Sequence, residues 1–149
     1  MAELVLSQRE ADSLFALEKH RVDEKLYEFP DMGGSLRIPL IAVNGREEFQ
    51  LTVYRGKIDL AKVTYQNLAR QVVVLARIDL GGAPHRNPDG EEIPSPHLHL
   101  YREGFGDKYA IALPKELAEH SGDHWDALNA FLRFCHITVP PNIDRGLFT

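Results

Sequence analysis

The sequence predicts an α+β fold, in which an antiparallel sheet of about five or six strands is flanked by an N-terminal and a C-terminal helix. Apolar residues recur at helical spacing after Ser7 and again after Asp123. Between these two segments, apolar runs rich in valine, isoleucine and leucine indicate strands, separated by glycine- and proline-containing turns. No repeat or linker interrupts the pattern, so residues 1–149 are expected to form a single globular domain.

The two helices are indicated by their first residues. Ser7 and Glu10 have the spacing of a capping box, so we expect a helix from about Ser7 to Arg21. Asp123 is expected to cap the final helix, HWDALNAFLRFCHI. Cys135 lies on the apolar stripe of that helix, which predicts a buried packing residue rather than a nucleophile.

The strands are indicated by turns and by apolar runs. Asn44-Gly45 separates SLRIPLIAV from EFQLTVYRG and predicts a hairpin. The segment from Arg70 to Leu80 is largely apolar on both faces, which predicts a central strand. A long connection follows, from Gly81 to Pro96, and connections of this length are often functional. Its Asn87–Gly90 segment is typical of a type I turn. PHLHLYREG and KYAIALP predict the last two strands.

Composition excludes several classes of protein. The net charge of -5 argues against a general polyanion binder that acts through bulk charge. The single cysteine excludes an internal disulfide framework and a zinc site built from several cysteines. No apolar run approaches the roughly 18 residues of a membrane span, and MAELVLSQRE lacks the features of a signal peptide. We therefore expect a cytoplasmic protein with no membrane association.

The segment PHLHLYREG carries the strongest candidates for catalysis. Alternation along a strand places His97, His99 and Tyr101 on one face, opposite two leucines. Histidine titrates near neutrality, so two histidines beside a phosphodiester can act as base and acid. The predicted catalytic set has four residues: His97, His99 and Tyr101, together with His85 from the long connection. Such a site needs neither a metal nor another cofactor, and none is expected.

Two other interpretations of the histidines stay open. A His-x-His strand also suits metal coordination if His85, Asp89 or Glu103 supplies a third ligand. The order from Gly90 through the two histidines to Glu103 approximates the first motif of the cupins, a family of metal-binding barrels. The glycine-to-histidine spacing is one residue too long, however, and no second motif follows. Alternatively, the two histidines only hydrogen-bond the long connection and have a structural role.

Charge is distributed unevenly along the chain. Residues 54–77 contain five cations and one carboxylate, a local charge of +4, whereas residues 1–31 contain four cations and eight carboxylates. Tyr65 in the basic segment is expected to stack on the bases of single-stranded RNA. The predicted nucleic-acid-binding residues are Arg55, Tyr65, Arg70, Arg77 and Arg86. An ordinary solvated face accounts for the same charges and stays open as an alternative.

One long segment resembles a known family: RGKIDLAKVTYQNLARQVVVLARIDLGGAPHRNPDGEEIPSPHLHLYREGFGDKYAIAL, with the ending RFCHITVPPNIDRGLF. Most of the chain is similar to a family of small uncharacterised bacterial proteins that are often carried by mobile elements such as prophages. That family has no established activity. The resemblance implies a context of toxin–antitoxin systems, defence or counter-defence in host–virus conflict. The general layout also resembles the small antiparallel ribonuclease toxins.

Two functions from different classes follow. The first is a metal-independent endoribonuclease-like or RNA-binding protein of the toxin or defence type, which uses the histidine face of residues 96–104. The second is a non-catalytic protein that binds a partner protein, as an inhibitor or counter-defence adaptor, through its acidic first helix or the long connection. The histidines favour the first function, and the acidic total charge favours the second.

Overall fold

The computed structural model describes residues 5–146, and its main element is an eight-stranded sheet. The helices are α1 (Gln8–Ala16), α2 (Lys115–Ala118) and α3 (His124–Phe134). The strands are β1 (Lys19–Arg21), β2 (Leu26–Glu28), β3 (Ser35–Ala42), β4 (Glu48–Arg55), β5 (Val63–Ala69), β6 (Val73–Leu80), β7 (His85–Arg86), β8 (Glu92–Ile93), β9 (His97–Leu100), β10 (Ala110–Ala112), β11 (Ile137–Val139) and β12 (Asn142–Asp144).

The order of strands in the main sheet is β10-β9-β6-β5-β4-β3-β1-β11. The inner strands are antiparallel, and only the outer pair β1 and β11 is parallel. β12 and β2 form a separate parallel pair, and β7 and β8 form a small antiparallel hairpin within the long connection. The α+β class with a mostly antiparallel sheet is therefore confirmed, whereas the sheet has more strands than predicted.

One face of the sheet packs against the helices and the other does not. Leu14 of α1 and Phe131 of α3 belong to the same apolar cluster as Leu51, Val53 and Tyr65 of the inner strands. Because side chains alternate along a strand, the neighbours of these strand residues point the other way. That second face, here called the open face, carries mostly polar side chains.

The first helix begins with the predicted capping box. The Ser7 hydroxyl accepts a hydrogen bond from the Glu10 backbone N–H at 3.1 Å, and the Glu10 carboxylate accepts one from the Ser7 N–H at 3.2 Å. The helix ends at Ala16, earlier than predicted, because Leu17 is extended and Lys19 already belongs to β1. The prediction extends too far because Leu17 and Val22 continue the apolar spacing of the helix without belonging to it.

The cap gives a testable contribution to stability. Replacing Ser7 with alanine is expected to lower the free energy of unfolding by about 1 kcal/mol, because it removes the acceptor for the Glu10 N–H. Ser13→Ala changes an exposed residue inside the same helix and is the matched control, expected to leave stability unchanged or slightly raised. Chemical denaturation measures both variants, and equal effects would contradict the role of the cap.

The last helix begins where it was predicted but ends at Phe134, three residues before the predicted end at Ile137, because Ile137 already belongs to β11. The Asp123 carboxylate accepts a hydrogen bond from the Asp126 N–H at 2.9 Å and caps α3. Cys135 follows the helix and is buried in the core, as predicted, and burial raises the pKa of its thiol. A buried cysteine whose thiol stays protonated acts as a packing residue rather than as a nucleophile.

Lys19 is fully buried, with 0% of its surface exposed. Its Nζ donates hydrogen bonds to the carbonyl oxygens of Phe15 at 2.9 Å, Leu17 at 2.9 Å and Cys135 at 2.7 Å. The same ammonium lies 4.9 Å from the centre of the Phe49 ring. All three N–H groups of the ammonium are thus satisfied, and the side chain connects the ends of α1 and α3.

Candidate functional site

Two rows of side chains run across the open face of the sheet. The strand register pairs Arg37 with Thr52, Thr52 with Gln66, Gln66 with Arg77, and Arg77 with His99. The second row pairs Ser35 with Tyr54, Tyr54 with Thr64, Thr64 with Asp79, and Asp79 with His97. The alternation predicted for His97 and His99 therefore places both on the open face, next to two residues of β6.

Asp79, His97 and His99 form a buried cluster at one end of these rows. Asp79 Oδ2 lies 3.1 Å from His97 Nε2 and 3.1 Å from His99 Nε2. The two histidines are 3% and 1% exposed. The Thr64 hydroxyl donates to Asp79 Oδ1 at 2.7 Å, and Arg77 Nη2 lies 3.0 Å from Asp79 Oδ2. The carboxylate is thus held from two sides while one of its oxygens faces both imidazoles.

The opposite ring nitrogens of the two histidines face backbone carbonyls. His99 Nδ1 lies 2.7 Å from the Asp107 carbonyl oxygen, and His97 Nδ1 lies 3.3 Å from that of Pro94. A carbonyl oxygen only accepts hydrogen bonds, so the 2.7 Å contact favours the His99 tautomer with the proton on Nδ1, and the lone pair of His99 Nε2 then points towards Asp79. The single proton of His97 serves either the Nε2 contact with Asp79 at 3.1 Å or the Nδ1 contact with Pro94 at 3.3 Å, but not both.

Burial and neighbouring charges shift the acid–base properties of the cluster. Burial lowers the pKa of His97, although Asp79 opposes the shift, and His97 is therefore neutral at neutral pH. Burial alone would raise the pKa of Asp79, but the hydrogen bonds from the Arg77 guanidinium and the Thr64 hydroxyl outweigh burial and hold this pKa below its usual range; His99 Nε2, although close, is not aligned as a donor to Asp79. The cluster thus contains an ionised carboxylate and at least one neutral imidazole.

The long connection covers the cluster. His85 on β7 is half-buried, its ring centre lies 4.6 Å from that of His99, and its Nε2 donates to the Lys108 carbonyl at 2.7 Å. Asn87 is buried and exchanges two hydrogen bonds with the Ala110 backbone, at 3.0 and 2.8 Å. The predicted turn after Asn87 is present, since the Gly90 N–H donates to the Asn87 carbonyl. The Asn87 side chain also fixes the hairpin on β10, a role that the turn sequence does not reveal.

Tyr101, predicted to share the face of the histidines, is not part of the cluster. β9 ends at Leu100, so the strict alternation does not extend to Tyr101. The Tyr101 hydroxyl donates to the Leu6 carbonyl at 2.6 Å and accepts from the Leu6 N–H at 3.0 Å. The hydroxyl thus uses both its donor and its acceptor in holding the segment before α1, and the expectation that Tyr101 shares the face of His97 and His99 is wrong.

Only one of the predicted nucleic-acid-binding residues lies at the cluster, namely Arg77. Arg55 is buried on the helix side of the sheet, where its Nη1 donates to the Pro30 carbonyl. Arg70 lies in the turn between β5 and β6 and pairs with Glu47 at 3.2 Å. Arg86 is exposed on the β7–β8 hairpin. These arginines therefore do not form one surface.

Tyr65 is in the core, so the expectation that its ring is available on the basic surface is wrong. It is 0% exposed, and its hydroxyl donates to the His124 carbonyl at 2.7 Å. The neighbouring strand carries an aromatic residue on the open face instead, because Tyr54 lies in the second row and is 45% exposed. Sequence reasoning missed Tyr54 because the sequence did not show which residues of this strand face the core and which face the solvent.

A groove on the open face leads to Arg77. Its volume is about 460 Å³. The lining residues are Ser35, Leu36, Arg37, Thr52, Val53, Tyr54, Lys62, Thr64, Gln66, Leu68 and Arg77. Three of these residues are cationic and none is a carboxylate. The groove is thus a basic surface on a chain whose net charge is -5.

Sequence reasoning also missed Asp79. The candidates for a third metal ligand are placed elsewhere: Glu103 accepts a hydrogen bond from the Gln8 N–H, and Asp89 accepts one from the Glu91 N–H within its turn. The indication available in the sequence was a pair of alternating polar residues, Arg77 and Asp79, in an otherwise apolar strand. Such a pair marks the face of a central strand that does not contact the core.

Comparison with known proteins gives a family without an assigned activity. A model described as "Family of unknown function (DUF6978)" matches residues 6–137, well over half of the chain. The chain belongs to this family. No curated protein and no solved structure matches the sequence or the fold. Among residues 5–146, no helix has the length and apolar character that crossing a membrane requires.

Proposed function

We propose that this DUF6978 protein binds single-stranded RNA in the groove on the open face of its sheet. The observation that carries the proposal is the lining of the groove, which combines three cations and an exposed tyrosine with no carboxylate. On a chain with a net charge of -5, this local excess of positive charge is not a consequence of composition. Phosphate groups are the polyanionic feature that such a groove suits best.

The cations are spaced along the groove. Arg37 and Arg77 lie at positions of the first row that are separated by two intervening strands, and Lys62 precedes β5 with its side chain exposed. The Arg37 guanidinium is oriented by the Gln71 carbonyl at 2.8 Å. Arg77 is shared with Asp79 and Asp107, which reduces its net charge. Lys62 and Arg37 are therefore expected to contribute more to phosphate binding than Arg77.

The uncharged residues of the groove suit the bases. The half-exposed Tyr54 ring offers a flat surface on which a base can stack, a contact that tolerates any sequence. Gln66 and Thr52 hydrogen-bond to each other at 3.1 Å, through the Gln66 side-chain oxygen. The Gln66 amide group keeps its two N–H donors for the edge of a base.

The geometry supports binding better than metal-free cleavage. A base and acid must reach the substrate, but His97 and His99 are buried and each of their ring nitrogens lies against a protein oxygen. We accordingly place the function in RNA binding rather than in a metal-independent histidine mechanism. A role in toxin, defence or counter-defence systems of bacterial mobile elements, exercised in the cytoplasm, belongs to the same proposal.

Fluorescence anisotropy with a labelled single-stranded RNA of mixed sequence tests the groove. Tyr54→Ala is expected to weaken binding about tenfold, because a stacked base contributes roughly 1–3 kcal/mol. Lys62→Ala is expected to weaken binding less and to reduce its dependence on salt. Lys25→Ala removes an exposed cation that is not in the groove and should leave the affinity unchanged.

Two results would contradict the proposal. The first is equal affinity of the Tyr54, Lys62 and Lys25 variants, which would show that any binding is independent of the groove. The second is the absence of RNA binding by the wild-type protein at low salt. That second result would favour the alternative function, in which the chain binds a partner protein and has no nucleic-acid ligand.

A further inference from the structure

The cluster of Asp79, His97 and His99 has no residue in the lining of the groove, although Thr64 and Arg77 line the groove and also contact Asp79. Each of the three side chains offers one ligand atom, and these atoms lie within 4.8 Å of one another. All three residues are buried, and they come from two adjacent strands, β6 and β9, in a fixed register. Their convergence therefore depends on the sheet rather than on flexible loops.

The cluster has fewer protons than its contacts with oxygen require. The two imidazoles make four close contacts with oxygens that act only as acceptors: the Pro94 and Asp107 carbonyls and, twice, Asp79 Oδ2. A neutral imidazole carries a single N–H, so two neutral rings can satisfy only two of these four contacts. In the remaining two, the lone pairs of nitrogen and oxygen face each other.

His99 shows this mismatch most clearly. Its Nδ1 is engaged at 2.7 Å with the Asp107 carbonyl, which assigns the single proton to that nitrogen. Its Nε2 is buried and has no hydrogen-bond partner within residues 5–146, although Asp79 Oδ2 lies 3.1 Å away. A buried lone pair directed at a carboxylate is unfavourable unless a positive charge lies between the two atoms. Two imidazolium rings would supply that charge, but they would have to be buried together, next to the guanidinium of Arg77.

We propose that Asp79, His97 and His99 bind a divalent transition-metal ion of the first row, such as Zn²⁺, through Oδ2 and the two Nε2 atoms. Bonds from zinc to histidine nitrogen and to carboxylate oxygen are about 2.0–2.2 Å long, which places adjacent ligand atoms roughly 3.0–3.5 Å apart. The observed distances of 3.1 Å from Asp79 Oδ2 to each Nε2 fit this arrangement. Two nitrogens and one oxygen suit zinc or iron better than calcium or magnesium, which prefer sites made entirely of oxygen.

The surrounding groups match those that orient metal ligands in proteins. Histidine ligands usually donate the other ring N–H to a carbonyl, and the carbonyls of Pro94 and Asp107 are placed to accept it. Thr64 donates to Oδ1 of the carboxylate, and Arg77 contacts Oδ2, so the proposed ligand atom faces both imidazoles and is oriented by the guanidinium. His85 lies beside the pair, but its Nε2 is engaged with the Lys108 carbonyl, so it is not among the three ligands. This site departs from the expectation that the histidines act without a metal.

Calorimetric titration with Zn²⁺ alone tests the proposal on the full chain, after treatment with a chelator and its removal. The wild-type protein is expected to bind one Zn²⁺ per chain. His99→Gln and Asp79→Asn are each expected to weaken that binding more than tenfold. His120→Gln is the matched control: His120 also lies 2.9 Å from a carboxylate oxygen, that of Asp126, but both side chains are partly exposed. The control variant is expected to bind Zn²⁺ like the wild type.

A measurement on the wild-type protein avoids dependence on variants that fail to fold. Long-range ¹H–¹⁵N correlation spectra of the metal-free protein should show His99 protonated on Nδ1, and Zn²⁺ should shift the Nε2 resonances of both His97 and His99. The proposal is overturned if Zn²⁺ leaves these resonances unchanged, or if folded variants bind Zn²⁺ as the control does. Neither experiment contains RNA, so failure here and failure of the RNA-binding proposal are distinguishable.

Discussion

Replacing Lys19 with methionine is expected to lower the free energy of unfolding by about 3 kcal/mol at neutral pH. Methionine fills much of the same volume but cannot donate, so the carbonyls of Phe15, Leu17 and Cys135 lose their shared donor. The Cys135 contact is fully buried, and water cannot replace the ammonium there. Urea denaturation at pH 7 measures the loss. Lys57→Met, at an exposed position, is the control and is expected to change stability little.

The same substitution should change how stability depends on pH. Burial lowers the pKa of Lys19 from 10.5 to about 8, so between these values the unfolded chain holds a proton that the folded chain has lost. Raising the pH through this window therefore favours folding, by at most about 3 kcal/mol in total. Cys135 opposes this trend above its ordinary pKa of 9.0, because burial raises the pKa of its thiol.

The wild-type free energy of unfolding should accordingly rise between pH 8 and 9 and then level off. Lys19→Met should lack the rise between pH 8 and 9, and Lys57→Met should keep it. Denaturation curves recorded across this range measure the difference. Parallel pH profiles for the wild-type protein and Lys19→Met would show that Lys19 is not a buried ammonium.

The second large effect is expected at Tyr65. Tyr65→Ala should lower the free energy of unfolding by about 4 kcal/mol, because it empties a fully buried site in the core. The ring packs 6.2 Å from the Phe131 ring and 6.4 Å from the Phe29 ring, so both α3 and the segment before β3 lose contacts. Tyr65→Phe should cost only about 1 kcal/mol, the contribution of the hydrogen bond to the His124 carbonyl.

Guanidinium denaturation of both variants separates the contribution of the Tyr65 ring to stability from that of its hydroxyl. RNA binding by Tyr65→Phe supplies the control, and we expect it to equal that of the wild type because the hydroxyl lies in the core, on the His124 carbonyl, and not in the groove. A clear loss of RNA affinity in a fully folded Tyr65→Phe would instead show that the hydroxyl of Tyr65 contacts the RNA. Equal destabilisation by alanine and phenylalanine would contradict the assignment of the ring to the core.

Local patterns predicted the parts of the fold that depend on nearby residues. The capping box at Ser7 and the cap at Asp123 are short-range features, and both are present. β5 was missed because its open-face residues, Thr64 and Gln66, are polar and the segment was interpreted as a basic binding surface. β1 and β11 contain three residues each, too few for any periodicity to appear. Both strands join the sheet through tertiary pairing, β1 with β3 and β11 with β1, which the local sequence does not reveal.

Of the candidate site, the sequence predicted only the part that lies on a single strand, β9. Alternation placed His97 and His99 together, which needs no knowledge of other strands. The contribution of Asp79 depends on the register between β6 and β9, which pairs it with His97 across 18 residues of chain. Tyr65 was expected on the surface and lies in the core, because a difference of one residue in the phase of a strand moves a side chain to the opposite face of the sheet.

The pairing of β1 with β11 also has a consequence for the order in which the sheet assembles. β3, β4, β5 and β6 are joined by short turns, so their contacts close small loops. The contact between Lys19 and Ile137 closes a loop of more than a hundred residues, and the entropy lost in closing a loop grows with its length. We infer that the inner hairpins form first and that this outer pair forms last. The ammonium of Lys19 then stays hydrated until the final step, so weakening its contacts accelerates unfolding more than it slows folding.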